Sequence, residues 1–175
     1  MTRPFADRLI EKTREFGPLC VGIDPHPHMF PELFGNPSAG SIAVWADGII
    51  EAAAGKVACI KPQAAFFEIW GSPGMAAMEH ICKTARNAGL LVIMDAKRGD
   101  IGSTAQGYAT AYLGENASCA CDALTVNPYM GLETLDPFVN TAADNGRGIA
   151  VLTRTSNPGA ADIQEKFVDG EPVFM

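Results

Sequence analysis

The chemically most informative residues of this sequence are three charged side chains close together, Asp95, Lys97 and Asp100. The first two follow a near-continuous apolar run, residues 90–94, which is typical of a strand buried in a parallel sheet. Because alternate residues of a strand share a face, Asp95 and Lys97 point one way and Ala96 the other. An isolated buried charge is costly, so these charges should be paired. The pattern predicts a functional pair and leaves a purely structural ion pair as the alternative.

The elements that position these charges follow a regular alternation. Predicted strands begin near residues 19, 57, 90, 122 and 148. Predicted amphipathic helices cover residues 5–16, 41–54, 74–87, 100–113 and 132–144. Strands alternating with helices predict right-handed βαβ units and a parallel sheet covered on its faces.

Two α/β architectures fit this alternation. An open doubly wound sheet is complete with five strands, whereas a (β/α)8 barrel needs eight units and typically about 250 residues. The length of 175 residues favours the open sheet. The polar residues at the ends of five successive predicted strands favour the barrel, in which all such ends converge on one mouth. They are Asp24, Lys61, Asp95 with Lys97, Asn127, and Thr155 with Ser156. We therefore expect a TIM barrel with about five βα units present, forming one partial-barrel domain over residues 1–175.

Composition limits the class of protein. The content is 47% hydrophobic and 19% charged, which is enough for one core. With 13 basic and 20 acidic residues and no basic run, the chain is not expected to bind nucleic acid or an anionic membrane surface. No apolar stretch is long enough to span a membrane and no signal-peptide pattern opens the chain, so we expect a cytoplasmic protein. The five cysteines lack CxxC spacing and are expected to be reduced core residues.

One motif names a family. Residues 95–104, DAKRGDIGST, resemble the DxKRxDIxxT signature of orotidine 5′-phosphate decarboxylases. The resemblance extends over the whole chain through four further segments and is closest to the bacterial and mycobacterial-type branch. These segments are Gly22-Ile23-Asp24, Ile60-Lys61-Pro62-Gln63, Val126-Asn127-Pro128-Tyr129, and the loop at residues 155–160.

The resemblance implies a reaction and roles for the charged residues. It implies decarboxylation of orotidine monophosphate (OMP) to UMP in de novo pyrimidine biosynthesis, with no cofactor and no metal ion. Lys97 would stabilise the carbanion formed at C6 and then protonate it. Asp95 would face the substrate carboxylate, and Lys61 would contact the ribose and complete a Lys–Asp–Lys–Asp array with Asp100.

The resemblance also implies substrate contacts and a partner. Asp24 would bind a ribose hydroxyl, Ser156 would contact the pyrimidine edge, and Asn127 would belong to the substrate site. Asp100 and Thr104 would reach into the site of a second subunit, so a homodimer is expected. Later strands of the family supply a glutamine and an arginine that hold the phosphate, and these are expected to lie beyond this sequence. We therefore expect this chain alone to be a poor catalyst and only marginally stable.

Three alternatives stay open at this stage. The HxH pair His26 and His28 follows the first predicted strand, where metal-dependent barrel hydrolases place two ligands, but further ligands are lacking. A metal-dependent sugar-phosphate lyase or aldolase of the same suprafamily would carry an acidic ligand near the end of the second strand. That position holds Lys61, which would repel magnesium. The last alternative is an inactive barrel fragment that only dimerises through residues 100–113.

Overall fold

The computed structural model describes residues 3–174 as alternating helices and strands. The helices are α1 (Phe5–Phe16), α2 (Ala39–Ala53), α3 (Ala65–Glu68), α4 (Gly71–Asn87), α5 (Gly102–Leu113), α6 (Asp136–Asp144) and α7 (Ala160–Ile163). The strands are β1 (Cys20–Ile23), β2 (Cys59–Pro62), β3 (Leu91–Arg98), β4 (Ala123–Val126), β5 (Gly148–Val151), β6 (Phe167–Val168) and β7 (Glu171–Pro172). No helix in this range is both long and apolar enough to cross a membrane.

Five strands form one parallel sheet in the order β1-β2-β3-β4-β5. The order follows the chain without reversal, whereas a doubly wound sheet reverses at a switch point. The barrel architecture predicted from the polar strand ends is therefore confirmed. Within the described residues β1 and β5 are the edges of this sheet, and β6 and β7 form a separate small hairpin.

The main hydrophobic core lies between the outer face of the sheet and the helices. Its fully buried members include Ile60, Val92 and Met94 from the strands and Ile42, Ile50, Met78, Ile81 and Phe138 from α2, α4 and α6. Each such side chain contributes about 1.5–3 kcal/mol of burial free energy. This layer fixes the helices and leaves the other strand face pointing into the barrel interior.

Helix α1 closes the N-terminal end of the sheet, which we call the base. Phe5 packs there with Cys59 and Leu91, whose side chains point into the interior. A Cβ atom on Gly148 would lie 2.5 Å from the Phe5 ring, so the first residue of β5 has no room for a side chain. Tight packing therefore seats α1 under the strands.

Most differences from the predicted elements have local causes. Helix α2 begins at Ala39, before the predicted residue 41, because the Ser38 hydroxyl accepts a hydrogen bond from the Ser41 amide (3.1 Å) in a capping box. The predicted helix over 132–144 divides into a 3₁₀ turn at Leu132–Leu135 and α6, which has a proline in its first turn. Helix α4 begins at Gly71, and the short α3 precedes it, so the predicted start at residue 74 was too late.

All five thiols are free, as predicted from their spacing. Four of them are buried, but Cys20 is exposed, so its assignment to the core was wrong. Cys20 is exposed because it lies on the edge strand β1, which among the described elements pairs with β2 on one side and with no strand on the other.

Candidate active site

The C-terminal ends of β2 and β3 bring three charged side chains into contact at the opposite end of the sheet, which we call the mouth. Lys61 Nζ lies 3.0 Å from Asp95 Oδ2, and Lys97 Nζ lies 2.5 Å from Asp95 Oδ1. Strand alternation places Lys61 and Asp95 on the interior face, because Lys61 lies two residues after Cys59 and Asp95 four residues after Leu91. One carboxylate therefore holds two ammonium groups at the mouth.

Two uncharged side chains complete the surroundings of the Asp95 carboxylate. Gln63 Nε2 donates to Oδ2 (3.2 Å), and the Thr125 hydroxyl donates to Oδ1 (3.2 Å). Burial raises the pKa of Asp95, but the hydrogen bonds and charges of Lys97 and Lys61 outweigh it and lower the pKa below its ordinary value. Asp95 is therefore a fixed anion at neutral pH.

The backbone around Lys97 departs from a regular strand. The register between β3 and β4 shifts between Met94 and Arg98, and Lys97 has a φ of 48°, in the left-handed region. The Ala96 and Lys97 amides donate to the Thr125 hydroxyl at 3.0 and 2.8 Å instead of to a strand carbonyl. Bulges of this kind re-aim side chains next to active sites.

The residues after Lys97 anchor the bulge to the outer layer. Arg98 forms an ion pair with Glu68 and donates to the Tyr112 hydroxyl (3.2 Å). Its guanidinium also lies 5.6 Å from the ring centroids of Tyr108 and Tyr112. Gly99 is close to β4, since a Cβ atom there would lie 2.8 Å from the Asn127 carbonyl oxygen.

Three of the predicted substrate-binding residues lie at strand ends of the same mouth. Asp24 is exposed just after β1, and Ser156 is exposed in the loop after β5. Asn127, just after β4, is partly buried, and its side-chain oxygen accepts a hydrogen bond from the Tyr129 amide (3.0 Å). That bond gives Asn127 a part in shaping its loop.

Asp100 and Thr104 lie apart from the contacting triad. The Asp100 carboxylate accepts a hydrogen bond from the Ile101 amide (2.8 Å), and it has no ion pair within residues 3–174. Thr104 is exposed in the first turn of α5. Within one chain the expected four-residue array is thus a three-residue array.

Sequence reasoning assigned no role to Gln63 or Thr125. Thr125 was detectable as the one hydroxyl in the apolar strand β4, with the same parity as interior residues. Gln63 lies just beyond the end of β2 and pairs with Asp95 through an isolated bridge. Because it is outside the strand, the alternation of strand residues does not predict where its side chain points.

The HxH pair shows no metal-binding arrangement in the described part of the chain. No group of three or more His, Cys, Asp or Glu side chains there is placed to hold a metal ion. The His26 ring packs against the Phe66 ring with centroids 4.0 Å apart.

The triad is suited to electrostatic chemistry. It presents two ammonium groups and a carboxylate, and the Lys97 side chain is 44% exposed toward the mouth. A pre-formed ammonium group next to a reacting carbon can stabilise a developing carbanion and donate a proton to it.

Sequence comparisons agree with this chemistry. A model of the family described as orotidine 5′-phosphate decarboxylase / HUMPS matches residues 17–173. A Nocardioides protein named orotidine 5′-phosphate decarboxylase is 45% identical over 167 residues, 95% of this chain and 61% of the relative. A Streptomyces coelicolor protein of the same name is 47% identical over 161 residues, 92% of this chain and 58% of the relative.

Solved structures show the same fold. A Streptomyces avermitilis crystal structure superposes with a TM-score of 0.91 and 43% identity over 99% of this chain and 62% of that protein. Leishmania donovani OMP decarboxylase superposes with a TM-score of 0.81 and 35% identity over 98% of this chain and 62% of that protein. The chain thus spans about 60% of the length of these relatives. It belongs to the orotidine 5′-phosphate decarboxylase / HUMPS family.

Proposed function

We propose that this chain carries the catalytic charges of an orotidine 5′-phosphate decarboxylase, a carboxy-lyase that converts OMP to UMP and CO2 in pyrimidine biosynthesis. The observation that supports this most directly is the contact of Lys61 and Lys97 with one buried carboxylate, Asp95, at the mouth of the sheet. The names of the relatives suggest the substrate, and the geometry offers groups suited to its reaction.

The reaction needs electrostatic stabilisation. When the bond between C6 and the carboxylate breaks, CO2 leaves and its bonding electrons stay on C6 as a carbanion without an adjacent electron sink. The Lys97 ammonium group would face this carbon, stabilise the negative charge and transfer one proton to it, which gives UMP. Water would then reprotonate the lysine amine.

Asp95 has two roles in this proposal. Its two carboxylate oxygens orient Lys97 and Lys61, so that neither ammonium group has to reorganise during the reaction. As a fixed anion it would also lie against the substrate carboxylate, and their repulsion would fall as CO2 departs. Lys61 would contact the ribose.

The remaining substrate contacts and the assembly belong to the same proposal. Asp24, Asn127 and Ser156, at the mouth, would bind ribose and pyrimidine. A homodimer would bring Asp100 and Thr104 into the partner's site, which would account for the lack of an ion pair to Asp100 within one chain. We also propose one partial-barrel domain and a cytoplasmic location.

Exposed apolar residues near Asp100 and β4 support the homodimer. Ile101 is 61% exposed, Tyr129 is 78% exposed and Leu132 is 77% exposed. They lie after the neighbouring strands β3 and β4, and exposed apolar surface is typical of protein contacts.

The test is release of labelled CO2 from carboxyl-labelled OMP. It compares this chain with a completed chain, in which the segment of the Streptomyces coelicolor relative that carries the later strands expected for the family follows this sequence. We expect turnover by the completed chain, and much slower turnover by this chain alone because distant phosphate contacts help to accelerate the reaction.

Lysine variants of the completed chain decide the role of the triad. Lys97→Met should lower turnover at least about 1000-fold. Lys83→Met, which removes an exposed lysine on the outer helix α4, is the matched control and should leave turnover unchanged. Absence of turnover in the completed chain, or equal loss in both variants, would refute the proposal.

A further inference from the structure

We propose that Thr125 is a positioning residue for Asp95 and Lys97, an inference that rests on the proposed decarboxylation. Thr125 lies in β4, next to the β3 bulge and beside Asp95. Its side chain is partly buried on the interior face of the sheet. No substrate contact is needed for this role, because the hydroxyl would act through its neighbours.

The Thr125 hydroxyl uses its whole hydrogen-bonding capacity on β3. A hydroxyl group has one proton to donate and two lone pairs that accept. The lone pairs accept the amides of Ala96 (3.0 Å) and Lys97 (2.8 Å). The hydroxyl can donate its proton to either of two acceptors. A carboxylate oxygen of Asp95 lies 3.2 Å from Thr125 Oγ1 and the Met94 carbonyl oxygen lies 3.4 Å from it, and the nearer, charged acceptor is the better one.

The bulge needs such a partner. In a regular parallel ladder each strand amide donates to a carbonyl of the neighbouring strand. The register shift between Met94 and Arg98 interrupts that pairing with β4, so the Ala96 and Lys97 amides need another acceptor, and unpaired amides inside a protein are costly. A side-chain oxygen that accepts both amides satisfies them and so stabilises the bulge.

The bulge in turn sets the direction of Lys97. A φ of 48° is disfavoured for a residue with a side chain and persists only where surrounding contacts hold it. Thr125 accepts the Lys97 amide at this position and at the same time bonds the carboxylate that holds the Lys97 ammonium group. One hydroxyl therefore fixes both ends of the Lys97 residue.

Two substitutions separate the hydroxyl from the shape of the side chain. Thr125→Val keeps the branched shape and removes the hydroxyl, whereas Thr125→Ser keeps the hydroxyl and removes a methyl group. With valine, the Ala96 and Lys97 amides should lose their hydrogen-bond acceptor, whereas with serine they should keep it. A purely packing role for Thr125 would give the opposite ranking, because serine leaves a small cavity.

The first measurement is amide hydrogen exchange by NMR in the completed chain, which needs no substrate. In Thr125→Val we expect the Ala96 and Lys97 amides to exchange about fivefold faster or more, and in Thr125→Ser to stay near the parent rate. The Leu152 amide, which bonds the Val126 carbonyl at 2.8 Å, is the internal control for an intact β4. Unchanged exchange at residues 96 and 97 in Thr125→Val would overturn the proposal.

The second measurement is OMP turnover by the completed chain. Misplacement of Lys97 should lower kcat about tenfold or more and change KM less than about threefold, because the hydroxyl does not contact the substrate. Thr125→Ser should restore kcat to within about threefold of the parent. Equal kcat in Thr125→Val and the parent would overturn the positioning role. No turnover with Thr125 intact would refute the proposed function, while amide exchange would still decide whether Thr125 holds the bulge.

Discussion

The two ends of the sheet each hold a buried aspartate in an ion pair, and the two pairs differ in how far their cations can reach a ligand. Asp95 at the mouth and Asp122 at the base are both 8% exposed. Asp122 accepts hydrogen bonds from Arg8 of α1 (2.5 Å) and from the Val92 amide (2.9 Å). Equal burial and good pairing therefore do not distinguish a functional carboxylate from a structural one.

The cations make the distinction. Arg8 also donates to the Gly146 carbonyl (2.9 Å), and its side chain is 24% exposed. Its Nε atom is buried and has no partner among the described residues, so two of its three nitrogens hold the base and the third is shielded from solvent. Lys97 is 44% exposed and an ammonium group has three donors, so it has donors left for a ligand. A buried anion whose cation keeps free donors toward solvent is the arrangement that suggests chemistry.

The backbone points the same way. Lys97 has left-handed φ in a bulge, whereas the positive-φ residues at the base, Gly89 and Gly146, are glycines, which adopt this conformation readily. Strain at the mouth costs stability and persists only where other contacts hold it. The base is built for stability and the mouth holds a particular geometry.

The largest expected effect contrasts the same substitution at the two ends. In the completed chain Asp95→Asn should lower OMP turnover at least about 1000-fold, because the ammonium groups lose the anion that orients them. Asp122→Asn should leave turnover per folded molecule within about threefold of the parent, because it lies at the other end of the strands. Similar losses in both variants would remove the functional distinction between the ends. The measurement is labelled CO2 release, normalised to folded protein by circular dichroism.

The Asp95 end of this comparison was predictable from the sequence. Strand alternation alone places Asp95 and Lys97 on one face, and the polar strand ends indicate the barrel mouth. The register shift and the left-handed Lys97 were not predictable, because the hydroxyl that accepts the Lys97 amide belongs to Thr125, 28 residues away from Lys97 in sequence. Contacts that join distant strands leave no local periodicity.

The base was not predictable as a functional unit. Arg8 and Asp122 are 114 residues apart, and each fits its own local pattern as an ordinary helix or strand residue. The amphipathic pattern did predict α1, which runs over Phe5–Phe16 as expected. What the pattern lacks is the docking site of the helix, which depends on the packing of Phe5 against Gly148.

A smaller effect is expected on stability, with the ranking of the two ends reversed. Asp122→Asn should lower the free energy of unfolding by about 2 kcal/mol, because it weakens the partly buried pair that holds α1 to the base. Asp95→Asn should cost less than about 1 kcal/mol, since both lysines are exposed enough to be solvated. Urea denaturation of the completed chain, followed by circular dichroism, measures both free energies of unfolding. A greater loss for Asp95→Asn would mean that the mouth, too, is mainly structural.

The interior between the two ends offers the finest probe of the comparison. Cys20 and Cys59 are directly paired in the register of β1 and β2, below Lys61 on the same strand face. The adjacent Cys59 thiol, opposed by burial and helped by the Lys61 charge, lowers the pKa of Cys20 to about 7. The adjacent Cys20 thiol and burial raise the pKa of Cys59.

The smallest expected effect is therefore a shift in the alkylation profile of Cys20. Because the thiolate reacts, the rate of carboxamidomethylation at Cys20 should rise with a midpoint near pH 7, the pKa of this thiol, while the four buried thiols react far more slowly. Lys61→Met removes a nearby positive charge and should raise this midpoint by less than about one pH unit. Arg8→Met, which removes a cation of the base, should leave the midpoint unchanged, and Cys59→Ser tests the effect of the Cys59 thiol separately. If Arg8→Met raises the midpoint as much as Lys61→Met does, the charge at the base affects the Cys20 thiol as strongly as the charge at the mouth. The two ends would then not differ in their electrostatic effect on the interior.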